Sequence, residues 1–117
     1  MAVVALNTFK TIRSGITTNA VGIYTCPIGV ASIVLTIQIT NISTGNTSYT
    51  VSAYHSRSTE TPSDYPFANN AYVAPFDSIN LLPDGKLILQ TNDVIKVQAS
   101  DENSLNVILS ILETAKT

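Results

Sequence analysis

The chain contains one histidine, His55, and one cysteine, Cys26. A thiol nucleophile at Cys26 would need a base, and the only histidine lies far along the chain. A single histidine with a single cysteine cannot assemble a zinc cluster, and one cysteine forms no internal disulfide. Ser56 and Ser58 lie close after His55. A serine–histidine–acid arrangement also requires a positioned nucleophile and an orienting carboxylate, and neither serine lies in a nucleophile-elbow turn. His55 is therefore expected to be a hydrogen-bonded residue at the rim of a sheet, and Cys26 a small buried hydrophobe. The acids Asp84, Asp93, Asp101 and Glu102 fall at successive turns. Converging turns can bind calcium through oxygen ligands, but the simpler role for such acids is to cap their turns. No catalytic residue, metal ligand or cofactor is assigned, and the chain is not expected to be an enzyme.

Tyr65, Phe67 and Tyr72 are the remaining side chains suited to recognition. Aromatics on a loop can stack on sugars or anchor a protein interface. They can equally fold back and close the open end of a sandwich.

Composition restricts the partners. At 117 residues the chain can bury one core without disulfides. Charged residues make up 12% of it, about half the usual share, and Ser, Thr and Asn supply the polarity instead. The six cations Lys10, Arg13, Arg57, Lys86, Lys96 and Lys116 are scattered and the net charge is −2. Phosphate-backbone binding needs clustered cations, so no direct nucleic-acid partner is expected. The start of the chain lacks the pattern of a signal peptide, and no apolar run reaches membrane-spanning length. The expectation is a soluble protein made in a cytoplasm, with no membrane partner. The acceptor-like triplets at Asn41 and Asn46 are then turn residues rather than glycosylation sites.

The elements that must position these residues are strands. In 31–42, Ile33, Leu35, Ile37 and Ile39 alternate with polar residues, with Val34 as the one intruder, a period of two that gives one buried and one wet face. Further strands are expected at 16–25, with Gly22 as a bulge or close-approach point, and at 47–56, 86–90, 94–100 and 105–113. The segment 71–82 is expected to be a strand interrupted by Pro75. The spacing of 31–42 and 47–56 suggests a hairpin, and 57–70 an irregular inserted loop. The domain reading is an N-terminal arm or edge strand over 1–15 and a sandwich over 16–117. The expected fold is all-β, a single antiparallel β-sandwich, Ig-like or jelly-roll-like. Its core is expected to comprise Ile33, Leu35, Ile37, Ile39, Val51, Ile95, Val97, Val107 and Leu109. Val34, Ile88, Ile108 and Leu112 fall in the opposite phase, and a sheet apolar on both sides usually packs against something on both sides. Ile88, Ile108 and Leu112, with Tyr65, Phe67 and Tyr72, are the candidate protein contacts.

Ile23-Tyr24-Thr25-Cys26-Pro27-Ile28-Gly29, the strand ending Ile39-Thr40-Asn41, the stretch Gly85-Lys86-Leu87-Ile88-Leu89 with Asp93-Val94-Ile95-Lys96-Val97, and the ending Asn106-Val107-Ile108-Leu109-Ser110-Ile111-Leu112-Glu113 resemble small bacteriophage virion structural proteins with a β-sandwich fold. The resemblance covers most of the chain after residue 16, and the chain departs from it at Cys26 and in 57–70. It implies a non-enzymatic virion component of the capsid decoration, neck-collar or tail accessory type, made in the host cytoplasm. Its partners would be capsid, neck or tail subunits and further copies of itself, and no cofactor would be involved. The alternative from another class is a carbohydrate-binding module contacting the host surface through Tyr65, Phe67 and Tyr72. A small hydrolase is the third and weakest alternative.

Overall fold

The computed structural model describes residues 7–83 and 85–115. Over these residues the chain is built of strands: β1 (Asn7–Gly15), β2 (Val21–Thr25), β3 (Val30–Asn41), β4 (Tyr49–Ser56), β5 (Asp64–Val73), β6 (Ser78–Asn80), β7 (Leu87–Leu89), β8 (Val94–Ala99) and β9 (Leu105–Ala115). Sheet A has the order β1-β9-β3-β6, with β7 paired to another part of β3, and sheet B has the order β2-β8-β4-β5. All pairings are antiparallel. The two sheets enclose one core of aliphatic side chains that includes Ile37, Ile39, Val51, Ile95, Val97, Val107 and Leu109.

The pairing scheme selects the jelly roll over the Ig-like alternative. β1 pairs with β9, β2 with β8, β3 with β6 and β7, and β4 with β5. These are the nested couples of one long hairpin. Rolling that hairpin joins β3 to β9 and β4 to β8, which produces two sheets with crossing connections.

The expected hairpin between 31–42 and 47–56 is not formed, because β3 lies in sheet A and β4 in sheet B. The turn residues at 43–46 are present, but they carry the chain between layers. Asn41, itself buried, clamps this corner. Its Nδ2 donates to the carbonyls of Thr47 (2.9 Å) and Ala74 (3.2 Å), and its Oδ1 accepts from Ser43 N (3.0 Å). The buried amide is thus satisfied on both ends, as buried polar groups are.

A bulge corrects the core. Val34 pairs with Ile111 but Thr36 pairs with Ser110, so Leu35 is an extra residue in β3. One inserted residue exchanges the faces of everything beyond it. Ser32 and Val34 point inward before the bulge, and Ile37, Ile39 and Asn41 point inward after it. Ile33 and Leu35 therefore leave the expected core, and Val34 enters it fully buried. The β2–β8 register shifts next to Gly22, where Ile23 is the extra residue, and Gly22 is the close approach expected of it. A Cβ at Gly22 would meet Val94 Cγ1 at 2.8 Å.

The expected loop at 57–70 is half strand, since β5 begins at Asp64. Two register shifts against β4 accommodate its irregular sequence. Pro75 marks the passage from β5 in sheet B to β6 in sheet A. The segment 105–113 is strand throughout, and β1 is an edge strand paired along its length with β9.

Candidate functional site

His55 is the penultimate residue of β4 and meets the turn between β7 and β8. Its Nε2–H donates to Asp93 Oδ2 at 2.9 Å. Arg57 closes on the same carboxylate with Nε (2.8 Å to Oδ1) and Nη2 (2.7 Å to Oδ2), and Gln90 N donates to Oδ2 at 2.9 Å. Arg57 Nη1 also reaches Glu60 at 3.0 Å. The Arg57 guanidinium holds the Asp93 carboxyl well below the usual carboxylate range against the opposing effect of burial, with help from Gln90 N–H and His55. A histidine oriented by a buried carboxylate is two-thirds of a hydrolytic triad. The neighbouring Ser56 is buried and bonds Asp64 instead. The cluster ties β4 to the β7–β8 turn, which matches the rim role expected of His55.

Cys26 lies in a second polar chain between the sheets. Ser32 Oγ donates to Cys26 Sγ (3.2 Å) and lies 2.7 Å from Tyr24 OH, which donates to Glu113 Oε2 at 2.5 Å. Lys10 Nζ pairs with Glu113 Oε1 at 3.2 Å. Burial and the Glu113 carboxylate push the Tyr24 phenol above its ordinary range. The thiol is fully buried, so it is shielded from solvent reagents. Among the described residues no group of three or more His, Cys, Asp or Glu could hold a metal ion.

The outer face of sheet A differs from these satisfied clusters. Residues directly opposite on paired strands share a face. Ile88 of β7 pairs with Ile33 of β3, Ile33 with Leu112 of β9, and Leu112 with Phe9 of β1. Four apolar side chains thus cross four strands in one row, about 15 Å long at the usual strand spacing. Ile88 is 64% exposed and Phe9 75%. The next row is polar, Thr36–Ser110–Thr11, and beyond it Gln38, Ile108 and Arg13 align. Ile108 is 44% exposed and borders a shallow groove lined by Arg13, Ser14, Gly15 and Asn106.

Of the residues singled out from the sequence, Ile88 and Leu112 are brought together, and Ile108 stands on the same face two rows away. Phe9 and Ile33 complete the row and were missed. The signal for Phe9 was its register in an edge strand, and that for Ile33 was hidden by the bulge at Leu35. The three aromatics do not form one platform. Tyr65 and Tyr72 are exposed near opposite ends of β5, whereas Phe67 is half-buried against the core.

No protein-family model and no curated protein matches this chain. Among solved structures, it is similar over 98% of its length to 92% of a chain in the acidic stable capsid structure of Helicobacter pylori bacteriophage KHP30, with 13% identity and a TM-score of 0.56. It is similar over its full length to 98% of a chain from the Bacillus endospore appendages described as a novel family of disulfide-linked pili, with 11% identity and a TM-score of 0.51. At these identities the likeness establishes a shared fold, the two-sheet antiparallel sandwich described above.

Proposed function

We propose that the protein is a non-enzymatic structural subunit of a tailed bacteriophage virion, of the capsid decoration or neck–tail accessory type, and that it assembles through the outer face of sheet A. The observation that carries this reading is the apolar row Ile88–Ile33–Leu112–Phe9. An aligned apolar row bordered by the polar row Thr36–Ser110–Thr11 is the pattern of a face that is covered in use. The fold comparisons support an assembly role, because both similar chains come from multi-subunit structures, a capsid and a pilus. The disulfide linkage named for the pilus does not carry over, since the one cysteine here is fully buried. Ile108 extends the proposed contact, and Tyr65 and Tyr72, exposed near opposite ends of β5, offer separate further points of contact.

The test is Ile88→Lys and Ile108→Lys beside Thr25→Lys, a control at an exposed position on sheet B. Covering an aliphatic side chain is worth roughly 1.5–3 kcal/mol before association costs. The two isoleucine variants are expected to keep the parent's melting temperature and to lose assembly, read by sedimentation and by incorporation into particles. The control is expected to assemble normally. Assembly of all three like the parent would place the interface elsewhere.

A further inference from the structure

We infer that the outer face of sheet B carries a binding groove for a neutral sugar, independent of the assembly face on sheet A. The groove has a volume of about 320 Å³ and is lined by Thr50, Ser52, Tyr54, Asn69, Asn70 and Gln98. These residues come from β4, β5 and β8.

A bulge in β5 shapes the groove. Val51 pairs with Ala71 but Ala53 pairs with Ala68, so Asn69 and Asn70 together face Ser52. Asn70 takes a left-handed conformation, φ 52°, which asparagine accepts better than most residues. Bulges of this kind re-aim side chains beside functional sites. The result is two amides side by side at the groove wall, both on the exposed surface.

The other polar groups are held in place. Tyr54 OH donates to Gln98 Oε1 at 2.8 Å, and Gln98 Nε2 donates to Thr18 O at 2.9 Å. Asn70 N donates to Ser52 Oγ at 3.0 Å. Among the described residues the Asn69 side chain has no internal hydrogen bond, so its donors and acceptor remain available to a ligand.

The chemistry of the lining selects the ligand class. Amides and hydroxyls donate and accept at once, as the adjacent hydroxyls of a pyranose do. The Tyr54 ring supplies one apolar surface of the kind a sugar's C–H face packs against. No charged side chain lines the groove, and the nearby Lys96 is paired with Asp64 at 3.2 Å, which disfavours phosphates and carboxylates. A volume near the lower end of the usual 300–1,000 Å³ for small-molecule sites suits one sugar ring.

The experiment is a two-dimensional amide NMR titration of the full chain. The probes are the neutral methyl pyranosides of glucose, galactose and mannose and the corresponding N-acetylhexosaminides. Saturable shifts at Ser52, Asn69, Asn70 and Gln98, absent at Ile88 and Leu112, are expected for at least one of them. The double variant Asn69→Ala/Gln98→Ala is expected to keep the parent's spectrum elsewhere and to weaken that sugar about tenfold, the loss of one to two neutral hydrogen bonds. No saturable shift with any probe would overturn the proposal. So would equal shifts with glycerol, shifts confined to Tyr65, or undiminished binding by the double variant.

Discussion

Asp93→Asn will lower the stability of the fold by about 3 kcal/mol at neutral pH, and the deficit will narrow in acid. The Asp93 side chain is 1% exposed, yet it accepts two bonds from Arg57, one from His55 and one from Gln90 N. Asparagine keeps the shape and loses the charge, and its amide nitrogen turns a donor towards donors. Glu60 is then the one charged partner left to the Arg57 guanidinium among the described residues. Removing one partner of a buried ion pair costs about 3–5 kcal/mol, and the lower end applies because the Arg57 side chain keeps 28% exposure. The pH dependence follows from the direction of the shift. The Asp93 carboxyl is depressed in the folded state by Arg57 first. Its contribution is therefore complete above the unfolded value of about 3.9 and is lost as pH falls through it towards the folded value. The variant has no such group to protonate. Asp64 is also depressed, by Ser56 and Lys96, but it is present in both proteins and cancels in the comparison. Urea denaturation at neutral pH and near pH 3 reads the two gaps. A gap of the same size at both would show that the charge on Asp93 contributes nothing.

The local punctuation of this fold was written in the sequence. Asn92 and Asn103 adopt left-handed conformations at the turns expected around them, as Gly29 does at the turn before β3, because these residue types tolerate positive φ. Gly22 announced the bulge beside it for the same kind of reason: a missing side chain where Val94 comes close. The bulge at Leu35 carried no glycine or proline. Its trace is Val34, apolar where strict alternation expects a polar residue, which marks a change of phase and not an isolated exception. Sheet membership was not legible at all. The turn residues after Asn41 report that the chain turns, not whether the next strand pairs with the last or crosses to the other layer. That choice rests on pairings distant in sequence, β3 with β9 and β4 with β8, and Asn41 braces the crossing through the carbonyl of Ala74. β5 was hidden because Pro66 and the Asn69–Asn70 pair are loop residues by local preference, and pairing with β4 overrides it. The candidate surfaces follow the same division. Ile88 and Leu112 showed themselves by phase within one strand. The row they form with Ile33 and Phe9, and the groove built by β4, β5 and β8, exist only through pairings distant in sequence.

Ile37→Ala will cost about 2–5 kcal/mol, while Ile33→Ala, four residues earlier on the same strand, will cost less than about 1 kcal/mol in the free protein. In a regular strand both residues would share one face, and both substitutions would open a cavity. The extra residue Leu35 separates them. Ile37 is fully buried against Val107, Leu109 and the facing side chains of sheet B, whereas Ile33 turns outward into the row with Ile88 and Leu112. Deleting the Ile37 side chain leaves a void that close-packed neighbours fill only in part. Deleting that of Ile33, which is only partly exposed on the outer face, leaves a gap open to solvent instead of a closed void. The difference is large against a total stability of about 5–15 kcal/mol, so thermal or urea unfolding of the two variants resolves it. In the assembled state the order of importance reverses. Ile33→Ala weakens association by removing the middle of the apolar row, while Ile37→Ala, where it still folds, presents an unaltered face. Equal destabilisation of the free protein by both substitutions would mean that β3 is continuous, and the apolar row on sheet A would then lose one of its four members.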